Sequence, residues 1–190
     1  VDLSLSKHIL ESYSDILKLL NVKGNLFHLF IKEETEEKDN KLIIFNMFPD
    51  HEDFTIRCWN DNNWKYLLSR LNGMGYKVAI IGDKKYTEIA DKFTETIGDL
   101  DVDYYVGRYD EKSYYSLLSK AILLVSVDSW IISYASSLNI ATVGVYGPTS
   151  AKLYAPLSKK SININSSLSC SGCQNIFEDN ECKIQDKNCM

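Results

Sequence analysis

The chain has 190 residues, with 45% apolar, 25% charged and a formal net charge of −5, the balance of an ordinary globular protein. That length suits about one domain with a real core. The acidic balance excludes a broad nucleic-acid footprint, and no apolar run approaches the ~20 residues of a membrane-spanning helix.

Position 1 is a valine, with no initiating Met and no signal peptide, so the chain is expected to be a fragment or a processed piece. Residues 5–20 read as a helix, because Ile9, Tyr13, Ile16, Leu17 and Leu20 recur at helical spacing before Gly24. Residues 26–31 suit a strand and residues 32–41 a charged, solvated connection. The run 42–48 is the first firm strand, stopped by Pro49. A polar loop with His51, Arg57 and Trp59 follows. Asn60 or Asp61 caps a helix to about residue 72, with Trp64, Leu67, Leu68 and Leu71 on one face and Gly73 and Gly75 at its end.

Residues 76–81 form the next strand, ending in Gly82-Asp83. A helix over 86–97 and a short strand over 104–106 follow, closed by Gly107. Asp110 caps a helix that turns Tyr114, Leu117, Leu118 and Ala121 inward. The runs 122–127 and 140–146 are the last two strands, with a helix-length segment, 130–138, between them. Five strands thus alternate with four helices. The fold class is α/β, a Rossmann-like parallel sheet. No G-x-G-x-x-G follows any strand, so the dinucleotide fingerprint is missing.

In parallel sheets ligands bind beyond the carboxyl ends of the strands. Asp128-Ser129 and Gly147-Pro148-Thr149 stand at two such ends. Ser129 also opens a helix, where free N–H groups favour a phosphate. It serves equally well as a plain cap. The Gly147-Pro148 pair also reads as an ordinary turn.

The string V-S-V-D-S at 125–129, then Leu138-Asn139, then T-V-G-V-Y-G-P-T at 142–149 resembles the carboxyl half of the family 9 glycosyltransferases. These are the ADP-heptose:lipopolysaccharide heptosyltransferases and their relatives. The family pattern is roughly V-S-x-D-[ST]-G-x-x-H, then V-x-[LV]-[FY]-G-P-T. Here Trp130 replaces the glycine and Ser133 the histidine. An indole at 130 either blocks close approach of backbone to a phosphate or turns aside. Arg57-Cys58-Trp59 matches a basic residue before a tryptophan in the first loop, Gly82 and Glu88 approximate a G-x-x-x-E, and residues 113–121 match a Ser/Leu-rich helix.

The resemblance covers roughly residues 40–190. It implies one half of a GT-B fold, with residues 1–40 as bridging helix and linker, 41–157 as the nucleotide-sugar-binding domain and 158–190 as a cysteine-rich tail. It implies that Arg57, Asp128, Ser129, Gly147, Pro148 and Thr149 face the donor's phosphates, that Glu88 accepts from a ribose hydroxyl and that Tyr109 contacts the base. Glu88 also fits a solvated helix residue. No cofactor is implied for catalysis, and the catalytic base is unknown, since it would lie in an amino-terminal acceptor domain of the same enzyme. Partners would be a nucleotide-sugar donor and a glycan, lipid-linked glycan or protein acceptor, with no nucleic acid. The setting would be cytoplasmic, at the inner face of the membrane through peripheral association.

Four of the five cysteines crowd the tail: Cys170 and Cys173 in a C-x2-C, then Cys182 and Cys189. Four thiolates suit a tetrahedral structural zinc or iron, and the resemblance extends to such a tail. Reduced thiols and disulfides remain alternatives. The reading is therefore the donor-binding half of a heptosyltransferase-like enzyme, inactive without its acceptor domain. The alternative is a non-catalytic nucleotide-binding or assembly domain with a structural metal.

Overall fold

An unbroken apolar run can be buried on both faces only inside a layered sheet. That is the setting of β1, Leu42–Asn46, all five of whose residues are buried. The structure is a computed structural model and describes residues 7–21, 39–50, 54–108, 111–173, 182 and 188–190. The strand expected at 26–31, most of the 32–41 connection, His51 and the Asp110 cap lie outside these residues.

The strands β2 (Lys77–Ile81), β3 (Val102–Tyr104), β4 (Leu123–Val127), β5 (Ala141–Tyr146) and β6 (Ser161–Asn165) join β1 in one sheet of order β3-β2-β1-β4-β5-β6. Every pairing is parallel. The chain runs outward from β1 to β3, then returns to place β4 on the other side of β1. The carboxyl ends of β1 and β4 therefore flank the point where the strand order reverses, the usual ligand crevice of such sheets.

Alternation along β1 splits the core in two. Ile43 and Phe45 face Trp64 and Leu68 of α3 (Asp61–Gly73), with Ala90 and Phe93 of α4 (Thr87–Glu95) in the same layer. Ile44 faces the other way, among Leu118 of α5 (Glu111–Lys120) and Ile131, Ile132 and Ala135 of α6 (Trp130–Ser137). The first helix, α1 (Ile9–Leu19), is fastened through His8. The His8 Nδ1 accepts the Leu10 N–H at 3.2 Å, so its Nε2 carries the proton and donates to the Ala155 carbonyl at 2.9 Å. Two short helices complete the order, α2 (Phe54–Arg57) and α7 (Ala151–Tyr154).

The α/β reading holds, with two corrections. The third strand ends at Tyr104, and Val106 is buried in the turn before Gly107 instead. A sixth strand, β6, was not expected. Its side chains are mostly exposed at the sheet edge, so it lacks the doubly buried apolar run that marks the inner strands. None of the described helices is long and apolar enough to cross a membrane.

Gly144 shows how tightly β5 packs under α6. A Cβ there would lie 2.5 Å from Tyr146 Cε2 and 2.7 Å from Ile132 Cδ1. Both neighbours are buried and cannot swing away, so Gly144→Ala should overpack the layer. A loss of about 1–3 kcal/mol is expected in urea unfolding, and an unchanged midpoint would contradict this packing.

Candidate functional site

Asn46 ends β1 with a polar side chain buried to 5% exposure. Its Nδ2 reaches three oxygens: Ser129 Oγ at 2.8 Å, Ser126 Oγ at 3.1 Å and the Phe48 carbonyl at 3.1 Å. Two hydrogens serve three acceptors, so one is shared. Ser126 donates to the Val127 carbonyl at 2.6 Å. The 3.1 Å contact between the two serine hydroxyls is then donated by Ser129. The hydroxyl of Ser129 is thus spent inside the protein. It makes no cap to α6, although Ser129 occupies the N-cap position.

The cap comes from elsewhere. The Trp130 N–H donates to Asp50 Oδ2 at 2.5 Å, across from the β1 loop. The same loop is held on its other side, where Tyr86 Oη donates to the Pro49 carbonyl at 2.5 Å and Lys85 Nζ to the Asp50 carbonyl at 2.7 Å. Beneath it lies a narrow cleft of about 20 Å³, open to solvent, with room for one water and lined by Asn46, Asp50, Gly82, Tyr86, Tyr114 and Trp130. Phe48 stacks on Tyr86 with ring centres 4.9 Å apart. The Trp130 indole turns aside rather than blocking the helix end, edge-on to Tyr114 at 6.1 Å and tilted on Tyr134 at 5.7 Å. Tyr114 donates to the Gly82 carbonyl at 3.0 Å, and burial, with Asp83 nearby, pushes its phenol up to about 12.

Arg57 and Asp128 meet at the switch point, Nη1 to Oδ2 at 3.6 Å, with 15% and 18% of their side chains exposed. Asp128 and Tyr146 each follow the paired residues Val127 and Val145. The Tyr146 phenol is buried, has no hydrogen-bond partner among the described residues, and is pushed up by burial and by the Asp128 charge. The Thr149 hydroxyl is likewise buried and unpartnered.

The Gly147-Pro148-Thr149 turn is covered by the tail. The Gly147 carbonyl accepts the Gly172 N–H at 2.9 Å and the Ser171 hydroxyl at 3.2 Å. A side chain at 147 would run into Met190, with its Cγ at 2.7 Å and the Cys189 carbonyl at 3.0 Å. Both ends of the cysteine segment therefore converge on one turn.

Of the residues singled out in the sequence, the structure brings Arg57, Asp128 and Ser129 together at the switch point. Glu88 stands apart, its carboxylate 2.8 Å from Lys92 on the exposed side of α4. The Lys92 partner holds the Glu88 carboxyl below its usual range. Tyr109 lies outside the described residues. Ser133 is exposed on α6. Asn46, Asp50 and Ser126 were missed, because their partners are remote in sequence. An Asp-x-Asp-x-Asp run stands at 99–103. It leads into the amino end of β3, opposite the cleft, where Asn72 holds both the N–H and the carbonyl of Asp101.

A parallel sheet of this order, with the strand order reversing between β1 and β4, is a doubly wound, Rossmann-like α/β fold. The family model for glycosyltransferase family 9 (heptosyltransferase) matches residues 20–184. The chain belongs to that family. No curated protein sequence matches it. Among solved structures it is similar to the family 9 glycosyl transferase of Veillonella parvula DSM 2008, at TM-score 0.71 and 18% identity over 86% of this chain and 50% of that one. It is similar to E. coli ADP-heptose lps heptosyltransferase II, at TM-score 0.62 and 21% identity over 73% of this chain and 41% of that one. It also resembles TibC of enterotoxigenic E. coli H10407, a dodecameric iron-containing heptosyltransferase in complex with ADP-D-beta-D-heptose, at TM-score 0.54 and 17% identity over 80% and 36% of the two chains. The chain spans half or less of the length of these structures, and at such identities the likeness shows the fold alone.

Cys58 separates from the other cysteines by its surroundings. Its thiol donates weakly to the Met47 carbonyl at 3.8 Å, and burial, then Asp61, pushes it up to about 12. A thiol with an ordinary value near 9 carries about a thousandfold more thiolate at pH 8. Iodoacetamide at pH 8 should therefore leave Cys58 unmodified in the native protein and label it after unfolding. Rapid native labelling, read by peptide mass, would show that the pocket is open.

Proposed function

We propose that this chain is the donor-binding half of a glycosyltransferase that takes a heptose or similar sugar from an ADP-type nucleotide sugar. The acceptor is a glycan, a lipid-linked glycan or a protein. The observation that carries the reading is the Arg57–Asp128 pair at the switch point of a family 9 chain. A guanidinium presents a fork of donors suited to a diphosphate, and it would neutralise charge on the leaving diphosphate as the glycosidic bond breaks. The unpartnered Thr149 hydroxyl beside the Gly147 turn supports a ligand at the same strand ends. The Trp130 indole, 42% exposed at the edge of the cleft, offers a flat surface to a base or a sugar ring.

In this reading residues 1–40 bridge to an amino-terminal acceptor domain and 41–157 hold the donor, in the cytoplasm at the inner face of the membrane. Arg57 and Asp128 line the donor site, and Gly147, Pro148 and Thr149, kept as donor contacts on the resemblance, lie buried beside it under the tail. Ser129 acts through its place in the Asn46 network. Glu88 reaches a ribose only by leaving Lys92, and Tyr109 is retained as the base contact. The 190 residues alone would bind donor without transferring it. Arg57→Ala should weaken ADP binding by about 1.5–3 kcal/mol, the worth of a charged hydrogen bond. Calorimetry giving equal affinities for the two proteins would sink the assignment.

We also propose that Cys170, Cys173, Cys182 and Cys189 hold one structural zinc or iron in the tail, 158–190. All four are free of disulfides. Cys170 and Cys173 share a turn closed by the Cys173 N–H on the Cys170 carbonyl at 3.1 Å, with Gly172 at φ +81. Burial raises the Cys173 and Cys189 thiols, and the neighbouring cysteines raise them further. The donor set fits the ion in kind. Among the described residues no group of three or more is arranged as ligands. The ion would relieve thiolate repulsion and order a segment poor in apolar residues. Elemental analysis should give about one metal per chain, and chelation should loosen the tail while the sheet stays folded. Two disulfides by intact mass, or a metal-free protein whose tail resists protease, would refute it.

A further inference from the structure

Burying an amide where β1 ends is unfavourable unless its hydrogens find acceptors, and an apolar side chain would fill the place without that demand. Asn46 meets the demand at 5% exposure, in the wall of the cleft. Its acceptors form a pattern. The Ser126 and Ser129 hydroxyls, at 3.1 and 2.8 Å, stand on either side of Asp128 in the chain. Ser126 in turn donates at 2.6 Å to the Val127 carbonyl, in the peptide that joins Asp128 to β4. The third acceptor, the Phe48 carbonyl at 3.1 Å, lies where the chain leaves β1 towards Arg57. Next to Arg57, the Cys58 thiol returns to the Met47 carbonyl of the same exit at 3.8 Å. One amide therefore ties the segment carrying Asp128 to the base of the segment carrying Arg57. Those two side chains meet at 3.6 Å, both largely buried.

We infer that Asn46 is a positioning residue of the donor site, holding Asp128 where its carboxylate orients the Arg57 guanidinium for the diphosphate. The inference rests on the nucleotide reading above. A guanidinium is a planar fork of donors, so what it offers a phosphate depends on how its plane is turned. A long arginine side chain loses much rotamer freedom when it is fixed, and that loss weakens binding unless it has been met beforehand. A carboxylate held at 3.6 Å restrains the guanidinium before the ligand arrives. Asp128 can do this only while the chain on both sides of it is fixed. Asn46 fixes that chain through Ser126 and Ser129, so it acts on Arg57 through Asp128. Ser129 belongs to the same clamp. Removing its hydroxyl leaves the Ser126 contact in place, which predicts a smaller loss of the same kind.

The test is a double-mutant cycle on the 190-residue chain, read by calorimetry with ADP. Wild type, Asn46→Ala, Arg57→Ala and the double variant are compared. Asn46→Ala should bind ADP about tenfold more weakly than wild type, within the range for side chains coupled in one network. Added to Arg57→Ala it should cost nothing further, because the group it positions is gone. An asparagine that only supports the fold lowers stability and leaves the ADP affinity of the folded protein unchanged, or weakens it equally with and without Arg57. Either result overturns the inference. Where Asn46→Ala fails to fold, Ser129→Ala decides by the same cycle. It should weaken binding about threefold, and only with Arg57 present. No loss, or an equal loss in both backgrounds, overturns the inference. The NMR signal of the Arg57 Nε–H gives a readout that needs no nucleotide. Its exchange with water should quicken in the folded Asn46 or Ser129 variant as the guanidinium loosens from Asp128, and an unchanged rate ends the positioning role. Failure of the nucleotide reading looks different: wild type does not bind ADP, or Arg57→Ala binds it equally well. The exchange rate then decides whether Asn46 positions the pair.

Discussion

The arrangement at the switch point depends on one buried amide. Asn46 spends its two hydrogens on three oxygens from the exits of β1 and β4. A buried amide without partners is costly, by roughly 1–3 kcal/mol per unmade bond, so the network holds the two strand ends in a fixed relation. The consequences spread outward. With Ser129 turned inward, the first N–H groups of α6 lack their ordinary cap. Asp50 fills that role from the neighbouring loop. The loop is in turn fixed by Tyr86 and Lys85. A side chain that is not itself aimed at a ligand thereby determines which groups face the cleft.

The layered fold was legible because its inner strands are buried on both sides. Leu42–Asn46, Lys77–Ile81 and Leu123–Val127 each carry an apolar run bounded by turn residues, and helical periodicity fills the gaps between them. The same rule hid β6. Ile162 and Ile164 alternate with Asn163 and Asn165, but at an edge where both isoleucines stay more than half exposed, so the alternation carried no sign of a core. At the site, Arg57 and Asp128 were legible through resemblance, and they lie 3.6 Å apart. Asn46 was not, since an asparagine before Pro49 reads as loop punctuation. Its worth comes from Ser126 and Ser129, 80 and 83 residues away. Glu88 failed to reach the cleft for a local reason, the i,i+4 lysine that draws its carboxylate outward.

The tail raises the same point about distance. Cysteine spacing is visible in sequence, and so is a Gly-Pro turn, yet nothing in either string says that they touch. They touch because Gly147 has no side chain. Met190 occupies the space a Cβ would take, and the Gly147 carbonyl is satisfied by Gly172 and Ser171. A glycine that resembles the family's turn therefore also works as a seat for the carboxyl-terminal segment. Whatever orders the cysteines also restrains the turn beside Thr149.

Taken together, the charges at the cleft follow one logic. A cation and a set of free N–H groups suited to a diphosphate are expensive to leave bare in a partly buried place. Arg57 lies against Asp128, and the amino end of α6 lies against Asp50. Each internal carboxylate keeps its partner electrically satisfied. A ligand at either place would have to exceed the contact it replaced, and only the difference would remain as affinity. The two carboxylates differ in what holds them. Asp128 follows β4, whose place is set by its pairing with β5. Asp50 is on a loop whose backbone carbonyls are fastened by Lys85 and Tyr86.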